Sequence, residues 1–293
     1  MRERGYQAVI TIIILMICVT TIIPLFYVVS TSLVHEYEFI EKGGFVLWPS
    51  NPTLDAYRRL MEMEIIFNSF RISVLRTVIG TALMLLATTI TAYIVSRRNM
   101  PGVRLLMLVI LITILFHGGL IPTFLVMNDI GLYNNFWVMI LILLVDPWSV
   151  LVLRQFIANL PRELEESANL DGANEVQLFF WIIIPSIKPS LAAIAMFFIV
   201  YHWNDWFTPF IYIENPRLMP LQLIIRNILV ANEGTNALIG TQIGVDIFDP
   251  TRRVGETTLR FATVVFGTVP ILMVYPFLQK YFVKGMYMGA VKE

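Results

Sequence analysis

Long charge-free apolar runs alternate with short polar segments along the chain, and the runs have the length of a bilayer. A helix needs about 20 mostly apolar residues to cross a hydrocarbon core of about 30 Å. Windows of that size occur at about Val9 to Leu33, Ser73 to Ser96, Leu105 to Met127 and Phe261 to Gln279. Two more are interrupted: Phe136 to Ala158 contains Asp146 and Arg154, and Ser190 to Ile213 contains Asp205. Ionisable residues inside a span are costly, so they mark candidate functional positions. The first run has no charge from Gly5 to Val34, too long for the apolar stretch of a cleaved secretory signal, and predicts a retained signal anchor. The pattern predicts an all-α membrane protein with six transmembrane helices.

Basic residues in short loops set the orientation, because cytoplasmic loops are enriched in Lys and Arg. Arg2 and Arg4 precede the first run, Arg97, Arg98 and Arg104 cluster between the second and third, and Lys280, Lys284 and Lys292 follow the last. Both termini are therefore expected in the cytoplasm. The loops from about His35 to Ser69 and Glu214 to Thr257 then face outward, and the segment from Asn159 to Pro189 faces inward. Arg217, Arg226, Arg252 and Arg253 lie in the second outer loop, which is long enough for the rule to weaken. No internal repeat or low-complexity linker divides the chain, which reads as one membrane domain over residues 1–293.

Composition agrees. Of 293 residues, 57% are hydrophobic and 14% charged, against roughly 25% charged in an ordinary soluble domain. The 21 basic and 21 acidic residues cancel, so no global field draws the chain to nucleic acid. Cys18 is the single cysteine, which excludes an internal disulfide and a thiolate metal cluster. The histidines are His35, His117 and His202, and His35-Glu36-Tyr37-Glu38-Phe39 lacks the second histidine of a metalloprotease helix. No Gly-x-Ser-x-Gly nucleophile turn occurs either. A phosphate-binding loop needs Lys followed by Ser or Thr. Lys42, Lys188, Lys280, Lys284 and Lys292 are followed by Gly, Pro, Tyr, Gly and Glu, so the chain is not expected to hydrolyse ATP or to carry a cofactor.

Between the fourth and fifth runs, residues Pro161 to Pro185 are too polar to be embedded and too regular for a loose loop. Pro161 suits a helix start, and Glu163, Glu165 and Glu166 place negative charge at the positive end of that helix. Gly172 supplies a stop, Asn174 an N-cap for a second short helix carrying Val176, Leu178, Phe179 and Ile182, and Pro185 its end. Leu164, Ala168 and Ala173 beside an acidic face suit a helix that docks into another protein. The same pattern also fits an amphipathic loop lying on the lipid surface.

The run Glu166-Ser167-Ala168, Asp171-Gly172 and Ile182-x-Ile184-Pro185 resembles the coupling-loop signature of ABC-importer permeases, with Ser167 and Ile184 as conservative departures. Ala92 to Gly102 resembles that family's second cytoplasmic turn, and Phe282 to Lys292 its C-terminal tail. His117-Gly-Gly-Leu-Ile-Pro122 and His202-Trp-Asn-Asp-Trp206 are similar to the subgroup importing complex polysaccharide fragments, such as alginate or pectin oligosaccharides. The resemblance implies that the loop is gripped by a separate ATP-binding subunit, which holds ATP and magnesium. It further implies a second, non-identical permease, a pair of nucleotide-binding subunits, a solute-binding protein outside and an oligosaccharide as substrate in a bacterial inner membrane. Contact with the binding protein would fall on the outer loop from Glu214 to Thr257, whose turns Gly234, Gly240 and Gly244 supply.

Sugars stack their flat apolar faces on aromatic rings and offer hydroxyls to amides and carboxylates, so Trp203, Asn204, Asp205 and Trp206 form a candidate substrate path. The competing reading makes these tryptophans interfacial. Arg76 would meet an anionic sugar such as a uronate, or pair with Asp146 or Asp205 inside the bundle. A self-contained secondary transporter, with Asp146 and Asp205 carrying ions or protons, is the rival function class.

Overall fold

The structure, a computed structural model, describes residues 2–97, 100–230 and 255–290. Arg98, Gly234, Gly240, Gly244, Arg252, Arg253 and Lys292 lie outside these residues, as do the side chains of Arg2, Arg4, Lys280 and Lys284. Among the described residues every regular element is helical. Helix α1 is Arg2–Ser32, α2 Glu36–Glu41, α3 Asp55–Glu62, α4 Glu64–Ser96, α5 Val103–Leu115, α6 Leu120–Asp129, α7 Val138–Leu141 and α8 Pro147–Ala158. There follow α9 Arg162–Leu170, α10 Glu175–Gln177, a π-helical turn Leu178–Ile183, α11 Ile184–Ser186, α12 Lys188–Asn204, α13 Phe207–Tyr212, α14 Leu221–Val230 and α15 Glu256–Ala290.

Val9–Ser32, Glu64–Ser96 and Thr257–Val274 are long and apolar enough to cross a membrane unbroken. A fourth span counts only if Glu175–Ser186 and Lys188–Asn204, bent by 82° at Ile187, are taken as one. The remaining apolar runs are divided, each for a local reason. The run expected from Leu105 to Met127 breaks between α5 and α6, where Gly119 takes φ 88° and ψ 168°, a conformation essentially reserved to glycine. The run from Phe136 to Ala158 breaks where Asp146 becomes extended and caps α8, accepting the Ser149 N–H at 2.8 Å with Pro147 in the first turn. The run from Ser190 to Ile213 breaks at Asp205, whose carboxylate accepts the N–H groups of Phe207 and Thr208 at 3.0 Å each.

The chain forms two compact units. The first comprises Met1–Asn68 and Ile224–Pro270. Within α1, Thr11, Thr20 and Thr21 return their hydroxyls to carbonyls four residues back, at 2.8 to 2.9 Å, so an apolar helix carries them with no orphan donor. At its end, Tyr27 donates to the Gly44 carbonyl and Ser30 to that of Leu47, pinning the following loop. Glu38 organises that loop. Its carboxylate takes Lys42 Nζ at 2.7 Å and the Ser50 N–H at 2.6 Å, and the Lys42 hydrogen bond above all pulls its pKa from 4.5 to about 2. Glu36 accepts the Thr258 N–H in the first turn of α15 at 3.2 Å. A Cβ on Gly255 would fall 2.1 Å from that carboxylate, so only glycine fits there.

The second unit comprises Ser69–Leu223 and Ile271–Glu293. Its main core joins Met84, Ala92 and Tyr93 of α4 with Val150, Leu153 and Ile157 of α8, Leu178, Phe179 and Ile183 of the π turn, and Ile194 and Phe198 of α12. A smaller cluster holds Ile72, Val138, Met139, Tyr212 and Ile213. Helices α4 and α12 approach closely at Gly80, where a Cβ would lie 2.6 Å from Nε2 of the buried His202.

Candidate functional site

The helix-turn-helix is closed by its own backbone. Gly172, at φ 80°, donates to the Asn169 carbonyl at 3.1 Å, and Ala173 donates to that of Ala168 at 3.0 Å. These two bonds are the pair that ends a helix through a left-handed glycine, with Ala168 and Ala173 in the apolar contact that accompanies it. One residue on, Asn174 opens the second helix with a reciprocal cap. Its side chain accepts the Gln177 N–H while the Gln177 side chain accepts its own N–H, both at 2.9 Å. A helix end and a helix start thus share one junction residue, Ala173, which leaves the turn little freedom.

The residues expected to couple to a partner divide by environment. Ala168 is buried and Ile182 half-buried against the core, whereas Glu166, Ser167, Asp171, Gly172 and Pro185 are exposed. Beside them Leu170 is 89% exposed and Val176 65%, large apolar side chains at the tip of a charged turn.

The turn is tied to α4 by residues that sequence reasoning used for other purposes. Arg97, just past the end of α4, donates to Glu165 of α9 at 2.5 Å and to the Tyr93 hydroxyl, and lies 3.4 Å from Glu175 of α10. Its guanidinium carbon sits 4.7 Å from the Tyr93 ring centroid. Tyr93 in turn bonds Glu175 at 2.5 Å and packs on Phe179 with ring centroids 5.1 Å apart. On α8, Arg154 donates to the Val95 carbonyl at 3.1 Å, placing a cation at the C-terminal end of α4 where the helix dipole favours one. The signal that could have found this network is the four-residue spacing of Tyr93 and Arg97, which puts both on one face of the last turn of α4.

The other candidate residues lie around Asp205. Arg76 is fully buried; it donates to the Asp205 carbonyl at 2.8 Å and to its carboxylate, and approaches the Met139 carbonyl at 3.4 Å. Arg76 thus makes the pairing with Asp205 that was one of the two roles open to it. Trp203 is buried edge-on to Phe70, with centroids 6.1 Å apart. Asn204 is exposed, and Trp206 is 38% exposed beside the exposed rings of Phe207 and Phe210. The expected cluster of four thus separates into an inward pair, buried Trp203 and half-buried Asp205, and an exposed pair, Asn204 and Trp206. Asp146 caps α8, and Asp205 accepts backbone N–H groups at the start of α13, so both carboxylates are hydrogen-bonded at helix breaks. Among the described residues no group of His, Cys, Asp and Glu could hold a metal ion.

Residues 85–287 match the sequence profile of the binding-protein-dependent transport system inner membrane component. The chain belongs to that family. The run from Glu166 to Pro185 that resembles a coupling-loop signature lies within the matched stretch. The permease is 36% identical over 292 residues to the polygalacturonan/rhamnogalacturonan transport system permease protein YtcP of Bacillus subtilis, covering 100% of both chains. It is 37% identical over 272 residues to the protein LplC of the same organism, covering 93% of this chain and 90% of that one. Among solved structures, a bacterial ABC transporter involved in import of the acidic polysaccharide alginate contains a chain matching this one with TM-score 0.85 and 25% identity, over 96% of this chain and 97% of that chain. A chain of a bacterial alginate ABC transporter, crystallised in complex with a periplasmic protein bound to alginate pentasaccharide, shares the fold at TM-score 0.57 and 14% identity, over 94% of this chain and 93% of that chain. Family membership makes the permease a component of a transport system that works with a binding protein, and displaces the self-contained secondary transporter.

Proposed function

We propose that this permease is one of two non-identical transmembrane subunits of a bacterial inner-membrane ATP-driven importer carrying acidic oligosaccharides, of the pectin or alginate kind, into the cytoplasm. In this reading six membrane crossings, some made by broken helices, leave both termini and the turn from Pro161 to Pro185 on the cytoplasmic side. A pair of nucleotide-binding subunits supplies ATP and magnesium, and a solute-binding protein docks outside. The observation that carries the proposal is the rigid turn: Gly172 and Asn174 close it through backbone and cap bonds, and Leu170 projects from it 89% exposed. Glu166, Ser167, Asp171, Gly172 and Pro185 would face the ATP-binding partner, while Ala168 and Ile182 hold the turn to the permease core.

The substrate class is supported by relatives whose names refer to polygalacturonan, rhamnogalacturonan and alginate. For the path itself we retain Asn204 and Trp206, with Phe207 and Phe210 extending the aromatic surface. Arg76, Asp205 and Trp203 support that surface from behind. The experiment is reconstitution of both permeases with the ATP-binding subunits and binding protein in liposomes. Oligogalacturonate or oligoalginate should stimulate ATP hydrolysis and be taken up, and a neutral malto-oligosaccharide should do neither. Substrate flux driven by an ion gradient, with permease alone, would overturn the proposal.

A further inference from the structure

A basic residue at the end of a membrane span is ordinarily read as a topological anchor, held on one side of the bilayer by its charge alone. Arg97 has a more specific environment than that role requires. Only 25% of its side chain is exposed, and its fork is divided among three acceptors: one terminal nitrogen serves Glu165, while the other serves the Tyr93 hydroxyl and approaches Glu175. The three acceptors belong to three elements, namely the last turn of α4, the first turn of α9 and the start of α10. Two of those elements are the arms on either side of the Gly172 turn.

The turn itself is internally rigid, but its backbone bonds do not fix how it sits on α4. Ala168 and Phe179 supply an apolar seat, which is non-directional. Direction comes from the carboxylates. Glu165 is only 27% exposed and turned toward Arg97, whereas Glu163 and Glu166, its neighbours on the same helix, are exposed. We infer that Arg97 is a positioning residue of the transport cycle, clasping both arms of the turn to the end of α4 so that a displacement of the turn is delivered to that helix. This rests on the importer reading above. The physical requirement is a planar fork: guanidinium can serve Glu165 and Tyr93 at once from fixed directions, and an ammonium cannot.

The test uses the complete reconstituted transporter with its binding protein and oligogalacturonate, and reads sugar taken up per ATP hydrolysed. Arg97→Met removes the clasp, and hydrogen bonds to charged groups are worth a factor of about ten or more. Uptake per ATP should fall about tenfold while the complex still assembles and hydrolyses ATP. Arg97→Lys keeps the anchoring charge and should lose most of the same ratio. Glu165→Gln should share part of the loss, and Arg97→Met combined with Glu165→Gln should be no worse than Arg97→Met alone, since that change already removes the contact with Glu165. Amide hydrogen exchange over Arg162–Leu170 should quicken in every one of these variants. A normal uptake ratio for Arg97→Lys, or losses that multiply in the double variant, would overturn the clasp. If the unaltered complex shows no sugar-stimulated hydrolysis, the importer reading fails and the clasp with it; a normal unaltered complex with an unaffected lysine variant overturns the clasp alone.

Discussion

Arg76 lies within α4 and Arg97 just past its end, roughly six turns further along, and their surroundings could hardly differ more. Arg76 is sealed, with no exposed surface, and bound to Asp205 at the point where α12 gives way to α13. Arg97 is partly wet and shared among a tyrosine and two glutamates from separate elements. In a low-dielectric interior a single opposite charge with good geometry holds an arginine in one place, because every alternative leaves an uncompensated ion. At a hydrated end several acceptors of similar strength compete, and the penalty for exchanging one for another is small. One arginine therefore fixes a break in the bundle, and the other holds the turn through contacts that exchange at little cost.

The largest expected effect follows from breaking the sealed site. Arg76→Met leaves the Asp205 carboxylate buried and alone, and should cost about 3–5 kcal/mol of stability, read as lost assembly or early thermal unfolding in nanodiscs. Arg76→Met combined with Asp205→Asn should recover much of that loss, since the amide can still cap Phe207 and Thr208 through its oxygen. Equal damage in the single and double variants would mean that charge pairing is not what holds the break. A smaller effect is expected at the turn. Gly172 has open space around its Cβ position but φ 80°, so Gly172→Ala meets backbone strain and no clash, about 1 kcal/mol. Uptake should fall with assembly intact, and Gly172→Asn, which tolerates that φ better, should fall less.

The weakest effect is expected outside the spans, at Glu38. Its folded pKa, about 2, is below its ordinary 4.5, so the folded state favours the ionised form. The stability this contributes is present above pH 4.5 and lost as the pH falls through about 2. Lys42→Met removes the largest cause of the depression and should flatten the acid limb of a stability curve in that window. An unchanged slope would show that the loop is held by Ser50 and packing instead.

Much of the helix-turn-helix was legible because its chemistry is local. Gly172 and Asn174 act within a few residues of themselves, through a positive φ or a cap, and the chain order states their neighbours. The division of the run from Leu105 to Met127 was missed because an apolarity window passes over Gly118 and Gly119, whose effect lies in dihedral angles and not in hydropathy. The Arg97 network was hidden for another reason. Glu165 and Glu175 lie far along the chain from Arg97, and the charge rule had already given that arginine a sufficient explanation. The split of the Trp203 to Trp206 cluster came from a helix ending: Asn204 closes α12, and after the break successive side chains no longer follow one helical sweep.

The 82° elbow at Ile187 changes what a push can accomplish. With the two arms nearly at right angles, a thrust along the α10 to α11 arm has almost no component along α12. It acts instead as torque about the corner, so α12 swings like the second arm of a bell crank and does not slide like a piston. A gate built on this segment would open by tilting, with its widest excursion at the end farthest from the elbow, where Asp205 meets Arg76.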